Sequence, residues 1–239
     1  SVDSELNLRA ERLSSNATSA INFFMEERLD ALIFTVNEIG YDKLTNKRKL
    51  DEIFKNLKLG FGGLSDLSVI DTDGNQINYT GPFNLEGKNY KNQAWFSESL
   101  GKKYFISEVF NGYRDLPHII IAVRSAKPDG SFFILRATLD TERLFQKLTS
   151  YRTGDHADLF LVNNEGILQT PSVTYGSIFE QTHLILPKKS GNRKIVETPP
   201  KKTDLFISKH SFISTKIVGT PFILVVQKKK ADMMHTWLD

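Results

Sequence analysis

The chain has 239 residues, no cysteine, and a net charge of +3 carried by scattered rather than striped lysines. The missing cysteines exclude thiol catalysis, disulfides and thiolate metal sites, and so small and dispersed a charge argues against a nucleic-acid partner. No run of about 18 apolar residues occurs, and the polar opening SVDSELNLRAERL has none of the pattern of a signal peptide.

The first 39 residues hold neither proline nor glycine, which predicts one long helix over 1–40. Leu6, Leu13 and Ala20 recur at sevens, as do Ala10, Ala17, Phe24 and Ala31, giving a narrow apolar seam. Arg9, Glu11 and Arg12 surround its first half, so the seam reads as a protruding stalk offering a homodimer interface rather than as a core element. A second helix is predicted over 48–57.

From residue 66 the period becomes that of strands. DLSVIDTDGNQINYT is a hairpin, with Asp73-Gly74 in the turn. DLFLVNNEGILQT, from Asp158, repeats it: Asp66 aligns with Asp158 and Gly74 with Gly166, both offset by 92. Strand candidates at 104–110, 117–124 and 131–139 follow the first hairpin, and 204–212, 214–219 and 221–227 follow the second. Each half therefore reads as a five-stranded antiparallel sheet: two strands, a connector, then three. The connectors carry QAWFSESLG in the first half and SIFEQ in the second, and a helix over 141–150 joins the halves. The ending KKKADMMHTWLD, 229–239, starts a helix that could lead into a membrane helix lying beyond it.

A long helix followed by two tandem PAS-like units resembles the double Cache sensor domain, an α+β fold, along the whole chain. Q-A-W-F at 93–96, YFISEVFNGYRDLPHIIIAVR and FFILRATLDTERL are similar to the ligand-binding unit of such domains in histidine kinases. The resemblance implies an extracytoplasmic, periplasmic module flanked by transmembrane helices. Residues 41–150 form its membrane-distal ligand-binding unit and 151–228 its membrane-proximal one. Amino-acid-binding members carry arginine where Gln93 stands, tyrosine where Phe96 stands and aspartate where Thr138 stands. The usual grip on an α-amino acid is therefore missing, and a small anionic or carboxylate ligand is expected.

Strand alternation divides the first sheet into two faces. Ile119, Ile121 and Val123 join Phe133, Leu135, Ala137 and Leu139 on an apolar face, expected against the long helix. His118, Ile120, Ala122 and Arg124 join Phe132, Ile134, Arg136 and Thr138 on a mixed face, expected to point at the connector. A pocket with aromatic walls and a few polar groups is the expected form of a ligand site. Its candidate residues are Gln93, Trp95, Phe96, Tyr113, Arg114, His118, Arg136 and Thr138. Arg136 needs a partner on a central strand, either a ligand carboxylate or an internal acid such as Glu108 or Asp115.

Neither a catalytic nor a metal site is expected, and no cofactor. DTDGN lacks the glycine and glutamate of a calcium loop, GFGG lacks the lysine of a phosphate loop, and the five histidines have no ligand spacing. Sensing by a histidine kinase is the function expected. The same domain could serve a chemoreceptor or a cyclic-dinucleotide enzyme, and a ligand-free dimerisation module is the rival from another class.

Overall fold

In a computed structural model the described residues are 2–152, 157–186, 194–198 and 210–228. The predicted helix at 229–239 and most of the strand predicted at 204–212 lie outside them. The chain divides into two compact units, one of Phe23–Leu144 and one of Ser1–Asn22 with Phe145–Asp239.

Helix α1, Val2–Glu38, contributes to both units. Its buried face is Ser14, Ala17, Ile21, Phe24, Met25, Arg28, Ala31, Leu32, Thr35 and Val36, spaced by one, three or four residues as in a core helix. The predicted protruding stalk is corrected here: Ala17, Phe24 and Ala31 of the seam are buried, Leu6, Leu13 and Ala20 only half-buried, and from Ser14 onward the helix is a core element. Polar residues conceal the true face. The Ser14 hydroxyl lies 2.9 Å from that of Thr215, and Thr35 donates to Ala31 O at 2.7 Å. Arg28 donates from Nη1 to Phe24 O at 2.8 Å, from Nε to Gly62 O at 3.2 Å and from Nη2 to Phe61 O.

The last two carbonyls end α3, Lys47–Phe61, so Arg28 satisfies groups that the helix terminus leaves open. Between α1 and α3 lies the single turn α2, Tyr41–Leu44. It puts Tyr41 on Phe133, with ring centroids 5.1 Å apart, and Leu44 O accepts from Asn78 Nδ2 at 2.8 Å.

The Phe23–Leu144 unit contains a five-stranded antiparallel sheet in the order β2-β1-β5-β4-β3. The strands are β1 Leu64–Ile70, β2 Gln76–Thr80, β3 Tyr104–Ile106, β4 His118–Ala126 and β5 Phe132–Asp140. The turn between β1 and β2 follows from its residues. Asp71 Oδ1 accepts from the backbone N–H of Asp73 and Asn75, both at 2.9 Å, and Gly74 takes φ 83°. Strand β3 is shorter than predicted; Ser107 N–H still donates to Ile120 O at 2.9 Å, but the Ser107 hydroxyl rather than its carbonyl accepts from Ile120 N–H, at 2.8 Å. Phe110 then rejoins β4 by a bridge to His118. Helix α4, Ala94–Leu100, lies in the connector, and α5, Thr141–Thr149, follows β5.

The second sheet has four strands among the described residues, in the order β6-β9-β8-β7. They are β6 Ala157–Val162, β7 Lys194–Thr198, β8 His210–Lys216 and β9 Ile223–Lys228. Two expectations are corrected. The second arm of the repeated hairpin, 166–170, is not a strand: Thr170 Oγ1 takes the Leu161 N–H at 2.9 Å, and Leu168 turns to bond Phe179 and Glu180. Strand β7 instead forms at Lys194–Thr198, where no strand is predicted. The turn itself does repeat. Asn163 Oδ1 accepts from Glu165 and Ile167 N–H as Asp71 does in the first unit, and Gly166 takes φ 79°.

Candidate functional site

The mixed face of the first sheet meets the connector as expected. Ile70, Ile120, Ala122 and Ile134 pack with Tyr90, Trp95, Phe96 and Phe105 in one buried cluster. Beside it lies a recess partly open to solvent. Its inner space is tight, about 10 Å³, near the size that one water requires.

Six of the eight candidate residues line it: Gln93, Trp95, Tyr113, Arg114, His118 and Arg136. Ile120, from the face expected to meet the connector, lines it as well; Leu85, Tyr90, Phe110 and Gly112 complete the lining and were not foreseen. Tyr90 had a visible signal, an aromatic five residues before Trp95 in the same connector. Phe96 and Thr138 do not line the recess. Phe96 turns into the core, meeting Trp95 edge-on at 5.8 Å, because neighbours on a helix point about 100° apart. Thr138 is wholly enclosed on β5.

Arg136 is 2% exposed. Its Nη2 lies 3.5 Å from Gln76 Oε1 and 3.7 Å from Asp66 Oδ1. Its guanidinium lies 4.6 Å from the centre of the Tyr90 ring and 5.8 Å from that of Trp95, a cation held against two aromatic faces. The internal acid is therefore Asp66, not Glu108 or Asp115. Both of those side chains stand on exposed positions, whereas β1 pairs with β5 and brings Asp66 onto the same face, one step diagonal to Arg136.

The pair is loosely made. Asp66 Oδ1, Ser68 Oγ, Arg136 Nε and Thr138 Oγ1 are all buried without a hydrogen-bond partner. They sit on two directly paired couples, Asp66 with Thr138 and Ser68 with Arg136. Such orphaned polar atoms are uncommon in a folded interior. The other carboxylate oxygen of Asp66 accepts from the Tyr79 hydroxyl at 3.4 Å. Gly81 allows this approach, since a Cβ there would come within 2.6 Å of the Tyr79 hydroxyl oxygen and closer still to Asp66 Cβ. Gly81→Ala is expected to cost about 1–3 kcal/mol, the usual range for overpacking, measured by urea unfolding.

The remaining polar groups are fixed by the backbone. Leu116 O lies 2.8 Å from His118 Nδ1, so that nitrogen carries the proton and Nε2 is an acceptor. Burial drives the His118 pKa down to about 4, and the charges of Arg114 and Arg136 push the same way, so the ring is neutral at pH 7. Arg114 donates to Ser65 Oγ at 3.1 Å and stacks over Phe83, 4.1 Å from its centroid; burial lowers its pKa. Tyr113, 44% exposed, stands at the rim and donates to Asn89 O at 2.8 Å.

The repeat shows what this site departs from. At the matching register of the second sheet, Phe160 replaces Ser68, Val225 replaces Arg136 and Gln227 replaces Thr138. Phe160, Val162, Ile223 and Val225 join an apolar cluster there. Asp158, the counterpart of Asp66, is held by Ser172 Oγ at 2.5 Å and by the N–H groups of Thr174 and Val173 at 3.0 and 3.2 Å. One sheet carries a well-bonded aspartate over an apolar core, and the other a loosely bonded aspartate beside a buried arginine.

No protein-family profile matches the chain, and no characterised protein matches it in sequence. Solved structures do match in fold. The extracellular domain assigned to the histidine kinase rpHK1S-Z16 has a TM-score of 0.73 at 14% identity, over 98% of each chain. The ligand-binding domain of the Pseudomonas aeruginosa amino-acid chemoreceptor PctB, in complex with L-Arg, has a TM-score of 0.67 at 12% identity, over 96% of this chain and 97% of that one. An extracellular ligand-binding receptor from Desulfohalobium retbaense has a TM-score of 0.75 at 11% identity, where this chain covers 92% of itself but 40% of the other. The chain thus has the fold of these extracellular sensor and ligand-binding domains, the architecture expected from its helix and repeated sheets.

Proposed function

We propose that this chain is the extracytoplasmic sensor module of a membrane receptor, a histidine kinase or a chemoreceptor, that binds a small carboxylate in the recess beside Arg136. The observation that carries this reading is Arg136 itself: a guanidinium 2% exposed that lines the recess and keeps one N–H without an acceptor. Arg114 adds a second cation, and among the described residues no acidic side chain lines the recess. A carboxylate is the group such a fork binds in bidentate fashion. The structural relatives named with bound ligands hold amino acids, but the residues that would grip an α-amino acid are replaced here by Gln93, Phe96 and Thr138. The inner space holds about one water, so a ligand must favour a more open arrangement of the rim. That differential affinity is what would shift the receptor between states.

Thermal unfolding of the purified domain against a panel of small carboxylates, amines and amino acids tests the reading. A carboxylate near 100 times its Kd is expected to stabilise by about 2.7 kcal/mol. Arg136→Ala is expected to weaken that ligand roughly 10–100-fold, the worth of a charge-assisted hydrogen bond. Trp95→Ala should abolish the shift in a protein that still folds. A wild-type domain stabilised by no compound would favour the rival, a dimerisation module with an idle recess.

A further inference from the structure

His118 and Gly112 give the recess a second chemical requirement. Leu116 O fixes the proton on Nδ1, and His118 lines the recess at 3% exposure, so the group it offers there is the acceptor Nε2. The ring is held in place from two sides. Phe110 packs on it with centroids 4.4 Å apart, and its strand is bonded to Phe110 in both directions, at 3.1 and 3.0 Å. Gly112, at φ 55°, keeps the space at that nitrogen clear: a Cβ there would stand 3.0 Å from Cε1 and 3.3 Å from Nε2.

A buried acceptor in a ligand site selects for a donor, because a ligand without one leaves it unpaired. That donor is not an ammonium. Among the described residues the charged groups lining the recess are Arg114 and Arg136 and no acid lines it, while Asp66 is enclosed and engaged with Arg136 and Tyr79. An uncharged donor on an anion answers all of these groups together.

Resting on the carboxylate reading above, we infer that the recess recognises a ligand hydroxyl through His118 Nε2, which makes small hydroxy-monocarboxylates its preferred ligands over α-amino acids and unsubstituted carboxylates. The carboxylate lies toward Arg136 and Arg114, the hydroxyl toward His118, and the short carbon chain against Trp95, Tyr90 and Ile120.

Calorimetric titration with matched pairs tests this on the unaltered domain: glycolate against acetate, each lactate enantiomer against propionate, and alanine as the amino counterpart. The hydroxy acid is expected to bind about tenfold more tightly than its unsubstituted partner, the worth of one satisfied buried hydrogen bond, with alanine not binding detectably. In His118→Asn, whose side-chain amide can still donate to Leu116 O, the ratio of lactate to propionate affinity should fall to about unity. Equal binding of propionate and lactate to the unaltered domain overturns the hydroxyl reading and leaves the carboxylate reading standing. A preference that survives His118→Asn also overturns it. Tight binding of alanine overturns the charge argument, and no binding by any carboxylate removes both readings.

Discussion

Asp66→Ala is expected to lower stability by about 3–5 kcal/mol, the cost of leaving a buried charge without its partner. Asp66 is fully enclosed and Arg136 nearly so. Arginine cannot shed its proton to escape, and without Asp66 its guanidinium keeps only Gln76 Oε1 and two aromatic faces. The pair is nevertheless a poor stabiliser in its own right. Its contact is 3.7 Å long, and each partner retains a buried atom with no hydrogen bond. Replacing both residues by apolar ones, Asp66→Leu with Arg136→Met, therefore removes two desolvation costs and should recover most of the lost stability. The coupling read from the double-mutant cycle should be about 2–3 kcal/mol by urea unfolding. Carboxylate binding should not recover, since it depends on the guanidinium. A loss below about 1 kcal/mol in Asp66→Ala would mean that the pair is not interacting. Stable folding without binding in the double variant would identify Arg136 as kept for its ligand rather than for the fold.

Local chemistry explains what could be read from the sequence. Period-two alternation placed His118 and Arg136 on one face before any partner strand was known, and Asp73-Gly74 marked the first turn. The same pattern hid the rest because it depends on distant partners. The Asp66–Arg136 contact needs the pairing of β1 with β5, which a linear reading does not supply. Helix α1 misled because Ser14, Arg28 and Thr35 occupy buried positions and satisfy their polar groups through other elements or their own backbone. Of the two apolar rows, Ala17, Phe24 and Ala31 do lie on that face, whereas Leu6, Leu13 and Ala20 lie off it. The 166–170 arm failed as a strand for a side-chain reason: a threonine hydroxyl, not a carbonyl, takes the Leu161 N–H. Adjacent positions on a helix point about 100° apart, so Trp95 lines the recess while its neighbour Phe96 packs into the core.

The neutral histidine gives the second large expected effect, in the acid range. His118 has a folded-state pKa pushed down to about 4 by burial, with the charges of Arg114 and Arg136 acting in the same direction, against about 6.5 in an unfolded chain. Above pH 6.5 neither state holds the extra proton and the contribution to stability is complete. As the pH falls below 6.5, the unfolded chain takes up a proton that the folded one refuses, so stability declines until the folded ring titrates near pH 4. The shift corresponds to a loss of about 3 kcal/mol across that window. His118→Asn has no such group, so the difference in unfolding free energy between it and the unaltered domain should change by about this amount between pH 7 and pH 4, at constant ionic strength. Carboxylates titrating in the same window affect both proteins alike and cancel in that difference. A pH-independent difference would mean that His118 takes a proton in the fold as readily as in the unfolded chain. Below about pH 6.5 its Nε2 would then be a donor, and the recess would accept a second anionic group in place of the hydroxyl.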